Sequence, residues 1–112
     1  MFVRPAIVLL FLLVAGMAHA QDHVVVRMFE SNVKKTSFIH IAYDDGRSEV
    51  IDLESWPQIP SNHGAIVEAA QKNDQTLVGV IKRLHDEGFI LTQSSATSDI
   101  ARSTLMVFER KR

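Results

Sequence analysis

The sequence contains no cysteine, so neither a disulfide bond nor a thiolate metal site can be part of its structure. It also has no excess of either charge, because 12 lysine and arginine residues nearly balance 13 aspartate and glutamate residues. A chain with so little net charge has no electrostatic basis for binding nucleic acid or an acidic membrane surface. We therefore expect no nucleic-acid partner, and a hydrophobic core must stabilise the fold by itself.

Glycine is scarce, and the five scattered glycines form no glycine-rich loop of the kind that holds a phosphate group. Nucleophile motifs are missing as well, because Ser94-Ser95 and Ser103-Thr104 lie in no Gly-x-Ser-x-Gly context. The sequence therefore indicates no catalytic residue and no cofactor. It does not by itself identify a biochemical activity.

The first twenty residues have the pattern of a secretory signal peptide. Arg4 provides a positive start, residues 6–15 form an apolar run, and Ala18-His19-Ala20 matches the small-x-small cleavage pattern. The apolar run is too short to predict a membrane span, although an uncleaved anchor helix is the alternative. We expect an exported protein, periplasmic or secreted, with a signal peptide at residues 1–20, one domain at residues 21–112 and no stable membrane span after cleavage.

Three strands are predicted in the first half of the domain. Residues 23–29 and 37–43 are rich in β-branched and aromatic side chains, and residues 48–53 continue the pattern after a turn. Asp45-Gly46 is typical of a type I′ hairpin turn, in which both central residues have positive φ angles. We expect an antiparallel meander, followed by a proline-containing connection at residues 54–63.

A long amphipathic helix is predicted within residues 66–89, because apolar side chains recur there at helical spacing. The apolar stripe consists of Ile66, Ala70, Leu77, Val80, Ile81 and Leu84. Asn73 is the one polar residue among them, and the phase continues across it, so one helix is favoured over two. Ser61 or Asn62 is expected to cap the N-terminus, and Gly88 to end the helix in a left-handed conformation.

Two further strands are predicted at residues 89–94 and 104–110, with a polar loop at residues 94–103 between them. The element order is then β-β-β-α-β-β, which indicates the α+β class. We expect a five-stranded antiparallel sheet with one long amphipathic helix packed on one face. The strand order 4-5-1-2-3 keeps all neighbouring strands antiparallel.

The second half of the chain resembles a known kind of small protein. The helix that ends at Leu84 is followed by Glu87-Gly88-Phe89-Ile90-Leu91, and the last strand ends in Val107-Phe108-Glu109-Arg110. This pattern is similar to small exported bacterial proteins of unknown function, which have a helix, a Gly-aromatic-x-Leu step and two strands ending aromatic-x-Arg. Many of those proteins carry tryptophan or tyrosine in place of Phe89. The resemblance covers about residues 66–110 and implies a bacterial, non-enzymatic module, with no catalytic residue or cofactor to transfer.

Histidine and carboxylate residues have no spacing typical of a metal or acid–base site. Asp44-Asp45 and Asp86-Glu87 are neighbours in sequence, but the predicted turn and helix end account for them. His23 and His40 could meet across the first hairpin and form a metal site with a carboxylate. A metal-dependent or hydrolytic enzyme is therefore kept as a minor alternative to a non-enzymatic protein without a metal.

The main functional indication is that the second and fifth strands are apolar on both faces. One helix covers one face of a sheet, and a solvated face should alternate with polar residues more regularly. We therefore expect the second face to contact a second copy of the chain, an envelope protein partner or an apolar ligand. The side chains assigned to this face are Ile39, Ile41, Tyr43, Trp56, Met106 and Phe108.

These observations favour a binding or assembly protein that forms a homodimer through this face. The alternative is a periplasmic small-ligand-binding protein with a pocket near Trp56. A third interpretation, in which Trp56 and the proline-containing loop cover the face within one molecule, stays open.

Overall fold

The structure is a computed structural model that describes residues 22–57, 63–98 and 101–111. These residues form one helix and five strands in the predicted order. The elements are β1 (His23–Glu30), β2 (Phe38–Tyr43), β3 (Ser48–Asp52), α1 (His63–Asp86), β4 (Phe89–Ser98) and β5 (Arg102–Arg110). The α+β class is confirmed. The signal peptide predicted at residues 1–20 lies outside the described residues.

The strands form a single antiparallel sheet in the order β3-β2-β1-β5-β4. This is the predicted strand order, read from the opposite edge. β1 occupies the centre and pairs along its whole length with β5, from His23 opposite Glu109 to Glu30 opposite Arg102. The two halves of the chain are therefore joined through β1 and β5.

The helix α1 is continuous over 24 residues, which confirms one helix rather than two. Asn73 does not interrupt it, because its side chain is buried and hydrogen-bonded to the segment that follows β3. The expected cap residues Ser61 and Asn62 lie outside the described residues. Within the described part of the chain, no helix is both long and apolar enough to cross a membrane.

The C-terminal end of α1 turns at Gly88, whose φ of 96° confirms the predicted left-handed conformation. Phe89 follows and is buried, and the Arg110 guanidinium lies 4.5 Å from its ring centre. Arg110 also donates a hydrogen bond from Nη1 to the Glu87 carbonyl at 3.2 Å. The last strand therefore holds the corner at which the helix becomes β4.

The turn between β2 and β3 differs from the predicted type I′ turn. Gly46 has a positive φ of 95°, but Asp45 does not, and a type I′ turn requires both. Gly46 N donates to Tyr43 O at 3.1 Å, and Tyr43 N donates to Arg47 O at 2.9 Å. This is a three-residue loop with a left-handed glycine at its end, stabilised by an Arg47 N–H bond to Asp45 Oδ1 at 3.0 Å.

The last hairpin is longer than predicted, because residues 94–98 and 102–103 belong to strands rather than to a loop. Their polar side chains suggested a loop, but the backbone ladder extends from Phe89 opposite Arg110 to Ser98 opposite Arg102. Pairing with β5 outweighs the weak strand preference of serine and alanine. A bulge interrupts the ladder between Leu91 and Gln93, where Thr92 donates from Oγ1 to the Val107 carbonyl at 3.1 Å.

Side chains alternate between two faces of the sheet, and the register identifies them. The buried face contains Val24, Val26, Met28, Ile39, Ile41 and Phe108, each at most 3% exposed. Val80 and Leu84 of α1 belong to the same hydrophobic cluster. The open face contains the alternate residues, including Val25, Arg27, Phe29, Phe38, His40, Ala42, Val50, Ile90, Leu105 and Val107. Packing of α1 along the whole length of the buried face is not shown by these contacts and stays a prediction.

Candidate functional site

The open face of the sheet combines apolar side chains with charged ones, because the register places His23, Glu109 and Asp52 on it as well as Arg27. None of its residues is buried, and Val25, Val50 and Ile90 are 37%, 61% and 39% exposed. The rings of Phe29 and Phe38 contact each other at one end, with their centres 5.8 Å apart. Arg27 lies opposite His40 at the middle of the face. Apolar and charged side chains therefore alternate on this surface.

The structure places five of the six predicted partner-face residues elsewhere. Ile39, Ile41 and Phe108 are at most 1% exposed and belong to the core, and Tyr43 and Met106 pack against that core. The physical reason is the two-residue period of a strand, which puts neighbouring residues on opposite faces. The sequence showed apolar residues on both faces, and the exposed set is the alternate one, which includes Phe38, Leu105 and Val107.

Tyr43 belongs to a cluster of charged groups at the edge of the core. Its hydroxyl donates to Glu87 Oε2 at 3.4 Å, and the Arg47 guanidinium lies 4.4 Å from its ring centre. Burial raises the pKa of the Tyr43 hydroxyl above its ordinary value, and the Glu87 carboxylate adds to this effect. These contacts hold Tyr43 against the protein rather than towards a partner.

Arg83 of α1 is joined to Glu49 of β3 by two hydrogen bonds. Nη1 donates to Oε1 at 3.1 Å and Nη2 donates to Oε2 at 2.7 Å. The bidentate pairing lowers the pKa of Glu49 and raises the pKa of Arg83 relative to their ordinary values. This pair connects the helix to the β3 edge of the sheet.

Trp56, the sixth predicted residue, is anchored at the end of β1. Its backbone N–H donates to the Ser31 carbonyl at 2.8 Å, and its indole Nε1 donates to Glu30 Oε2 at 3.3 Å. Glu30 is in register with the buried face and is 2% exposed. The indole N–H is therefore bound on the side of the core and not on the open face.

Asn73 completes this polar cluster. Its Nδ2 donates to Glu30 Oε2 at 3.0 Å and to the Glu54 carbonyl at 2.9 Å. Its Oδ1 accepts from the Glu54 N–H at 2.8 Å. A buried polar group needs such partners. Two of the three contacts fasten Glu54 to the helix, and the third joins the helix to Glu30 of β1.

A cleft of about 890 Å³ lies beside Trp56, between the β1–β2 connection and the segment after β3. It is lined by cationic and anionic side chains as well as the indole: Lys34, Lys35, Asp52, Glu54 and Trp56. Lys35 has a positive φ of 65°, which is uncommon for a residue with a side chain, and its N–H donates to Ser55 Oγ at 3.2 Å. Opposite charges beside an aromatic ring suit a small zwitterionic molecule with an apolar part.

The predicted meeting of His23 and His40 does not occur. His23 lies beside Asp44, with Nδ1 3.3 Å from Oδ2, and its Nε2 is 3.9 Å from Glu109 Oε1. His40 lies opposite Arg27, four residues further along β1. The part of the chain that the structure describes contains no group of three or more histidine or carboxylate residues placed to hold a metal ion.

No protein family model, curated protein or solved structure matches this chain. The resemblance to small exported bacterial proteins therefore stays a prediction.

Proposed function

We propose that this chain is an exported, non-enzymatic binding or assembly protein whose open face docks a second copy of itself. The observation that supports the proposal is the exposure of apolar side chains on β1, β3 and β4 on one face of the sheet. Exposed apolar side chains gathered on one face of a sheet are typical of interaction sites.

Two further properties favour a second copy as the occupant. The formal net charge of the chain is −1, so two copies repel each other very little. Two sheets that pack face to face with interdigitating side chains form a core of the kind seen in β-sandwiches. Arg27 at the centre is compatible with this arrangement, because arginine is enriched in protein–protein interfaces.

The test replaces Val25, an open-face residue of the central strand β1. We expect Val25→Lys to weaken self-association by at least about tenfold, because a docked lysine must lose its hydration. Sedimentation equilibrium measures the association, and the methyl NMR signals of Leu105 and Val107 should shift with concentration in the unchanged protein. Both side chains lie on the open face, Val107 opposite Val25 and Leu105 opposite Arg27.

Val78→Lys is the matched control, because Val78 is 58% exposed on α1 and lies outside the open face. This variant should associate like the unchanged protein. Open-face methyl signals that stay constant up to the highest concentration would refute the proposal.

The second candidate function is small-ligand binding in the cleft beside Trp56. The cleft supports it by size and by its mixture of lysine, carboxylate and indole groups. Trp56 is the single tryptophan of the chain, so its fluorescence reports on the cleft alone. Phenylalanine is a suitable probe, because it is a zwitterion with an apolar ring and has no indole emission.

We expect saturable quenching or enhancement of Trp56 fluorescence by phenylalanine. Lys34→Ala should weaken it by several-fold, since this side chain lines the cleft. Lys82→Ala, which removes an exposed lysine of α1, should leave binding unchanged. A response that is linear in phenylalanine, or equal in both variants, would reject this candidate.

A further inference from the structure

The two edges of the sheet differ in length and charge. β3 has five residues, of which Glu49 and Asp52 are acidic. β4, at the other edge, has ten residues, nine of them exposed, and none is charged or proline. Natural sheets protect their edges from unwanted pairing by short length, charge or proline. The β3 edge has the first two protections, whereas the β4 edge has none of these three and is interrupted only by the bulge between Leu91 and Gln93.

The stretch of β4 after its bulge is regular. Residues 93–98 pair with β5 without interruption, from Gln93 opposite Val107 to Ser98 opposite Arg102. In an antiparallel strand the N–H and C=O groups alternate between the two sides, so about half of those in this stretch point away from β5. Among the described strands, none lies beyond β4. These groups can pair with another extended chain.

We propose that β4 pairs antiparallel with β4 of a second copy, about a two-fold axis, so that the two five-stranded sheets become one. A two-fold contact brings the same strand from both copies together. The side chains of residues 93–98 (QSSATS) carry no charge, so no register opposes like charges. With the axis at Ser95, this residue lies opposite Ser95 of the other copy, which is a favourable hydroxyl pair, and Gln93 lies opposite Thr97 on the same face.

The small size of these side chains favours a second copy over an unrelated peptide. Proteins that add a foreign strand obtain specificity from pockets that receive its alternate side chains. Serine, threonine and alanine along this edge offer backbone pairing with little side-chain recognition. A strand of equal length and equally small side chains matches the edge best. The inference does not rest on the proposed open-face contact, because it uses different residues.

Hydrogen exchange of the purified protein, dilute and concentrated, tests the edge contact directly. We expect amides within residues 93–98 to exchange at least about tenfold more slowly at high concentration, because pairing occupies the outward N–H groups. Ser95→Lys should abolish this slowing, since its charge lies at the two-fold contact. Gln75→Lys, on the exposed side of α1, is the charge-matched control and should preserve it. Val25→Lys should also preserve it.

Equal exchange of residues 93–98 at both concentrations in the unchanged protein would refute the edge contact, even if Ser95→Lys failed to fold. Slowing that occurred only after addition of a foreign extended peptide would reject the second copy as the occupant. The remaining outcome is that the exchange of residues 93–98 stops slowing with concentration in Val25→Lys but still slows in Ser95→Lys. That result would assign self-association to the open face alone. It would leave the proposed function intact and overturn this inference.

Discussion

The two faces of the sheet are built from the same kinds of apolar residue, but they have different neighbours. On the buried face, Ile39, Ile41 and Phe108 share a cluster with Val80 and Leu84 of the helix. On the open face, Phe38, Leu105 and Val107 occupy the alternate positions and keep part of their exposure. Residue type alone therefore does not determine which face becomes the core. Glu30 and Glu49, which are in register with the buried face, are the partners of Asn73 and Arg83 of the helix.

The largest expected difference between the faces is in the cost of removing one phenylalanine ring. Phe108→Ala should lower the free energy of unfolding by about 3–5 kcal/mol, because it leaves a cavity in the core. Phe38→Ala should lower it by about 1 kcal/mol, the typical effect of a substitution that creates no cavity. Urea unfolding of both variants at low protein concentration measures the difference.

Equal losses for Phe108→Ala and Phe38→Ala would contradict this comparison. They would mean that the open face is covered in solution as fully as the core. If the loss for Phe38→Ala grew only with protein concentration, the cover would be another molecule. That outcome would strengthen the proposed open-face contact.

A smaller effect is expected from Asn73, which supplies the polar contacts of the buried side. Asn73→Ala should lower the free energy of unfolding by about 1–3 kcal/mol, because the Glu54 N–H and the Glu30 carboxylate lose a partner. Asn32→Ala removes the same amide at an exposed site and should change the stability by less than about 0.5 kcal/mol. Urea unfolding of both variants is the measurement. Equal losses in the free energy of unfolding would show that the hydrogen bonds of Asn73 make no net contribution to stability.

The smallest expected effect is the pH dependence of the Arg83–Glu49 pair. Because the pKa of Glu49 is lower in the folded protein, its contribution is present above the ordinary glutamate pKa and is lost as the pH falls through the folded value. The side chains of Arg83 and Glu49 are 39% and 43% exposed, so solvent screens the pair and the loss should be about 0.2–1 kcal/mol. Glu49→Gln should therefore flatten the acid side of a stability–pH curve measured by urea unfolding.

Glu68→Gln is the control for this titration, since Glu68 is 70% exposed and lies 3.7 Å from Lys72. As the pH falls, Glu68→Gln should lose as much free energy of unfolding as the unchanged protein. An acid-side loss of the same size in Glu49→Gln would contradict the assignment to this pair.

Local patterns in the sequence were sufficient for the element order and for the helix. The spacing of Ile66, Leu77 and Leu84 predicted a single helix, and Gly88 predicted its end. The strand order followed from keeping neighbours antiparallel. These features depend on residues close in sequence or on a few connection rules, which is why they could be predicted.

The features that were not predicted depend on contacts between distant residues. Residues 94–98 form a strand because β5 pairs with them, although their own side chains suggested a loop. The choice between the two apolar faces of β2 and β5 depends on which face shares a cluster with Val80 and Leu84, which are distant in sequence from both strands. Asn73 was recognised as a polar exception, but its partners Glu54 and Glu30 are 19 and 43 residues away.

The first and last described residues meet at one corner of the molecule. The Arg110 N–H donates to the Asp22 carbonyl at 2.8 Å, and the Lys111 N–H donates to the Gly88 carbonyl at 2.7 Å. A linker of a few residues between positions 111 and 22 would close this domain into a circle, a rearrangement that domains with adjacent ends tolerate. The same proximity means that tags attached at the two positions would emerge side by side and could report on each other by energy transfer.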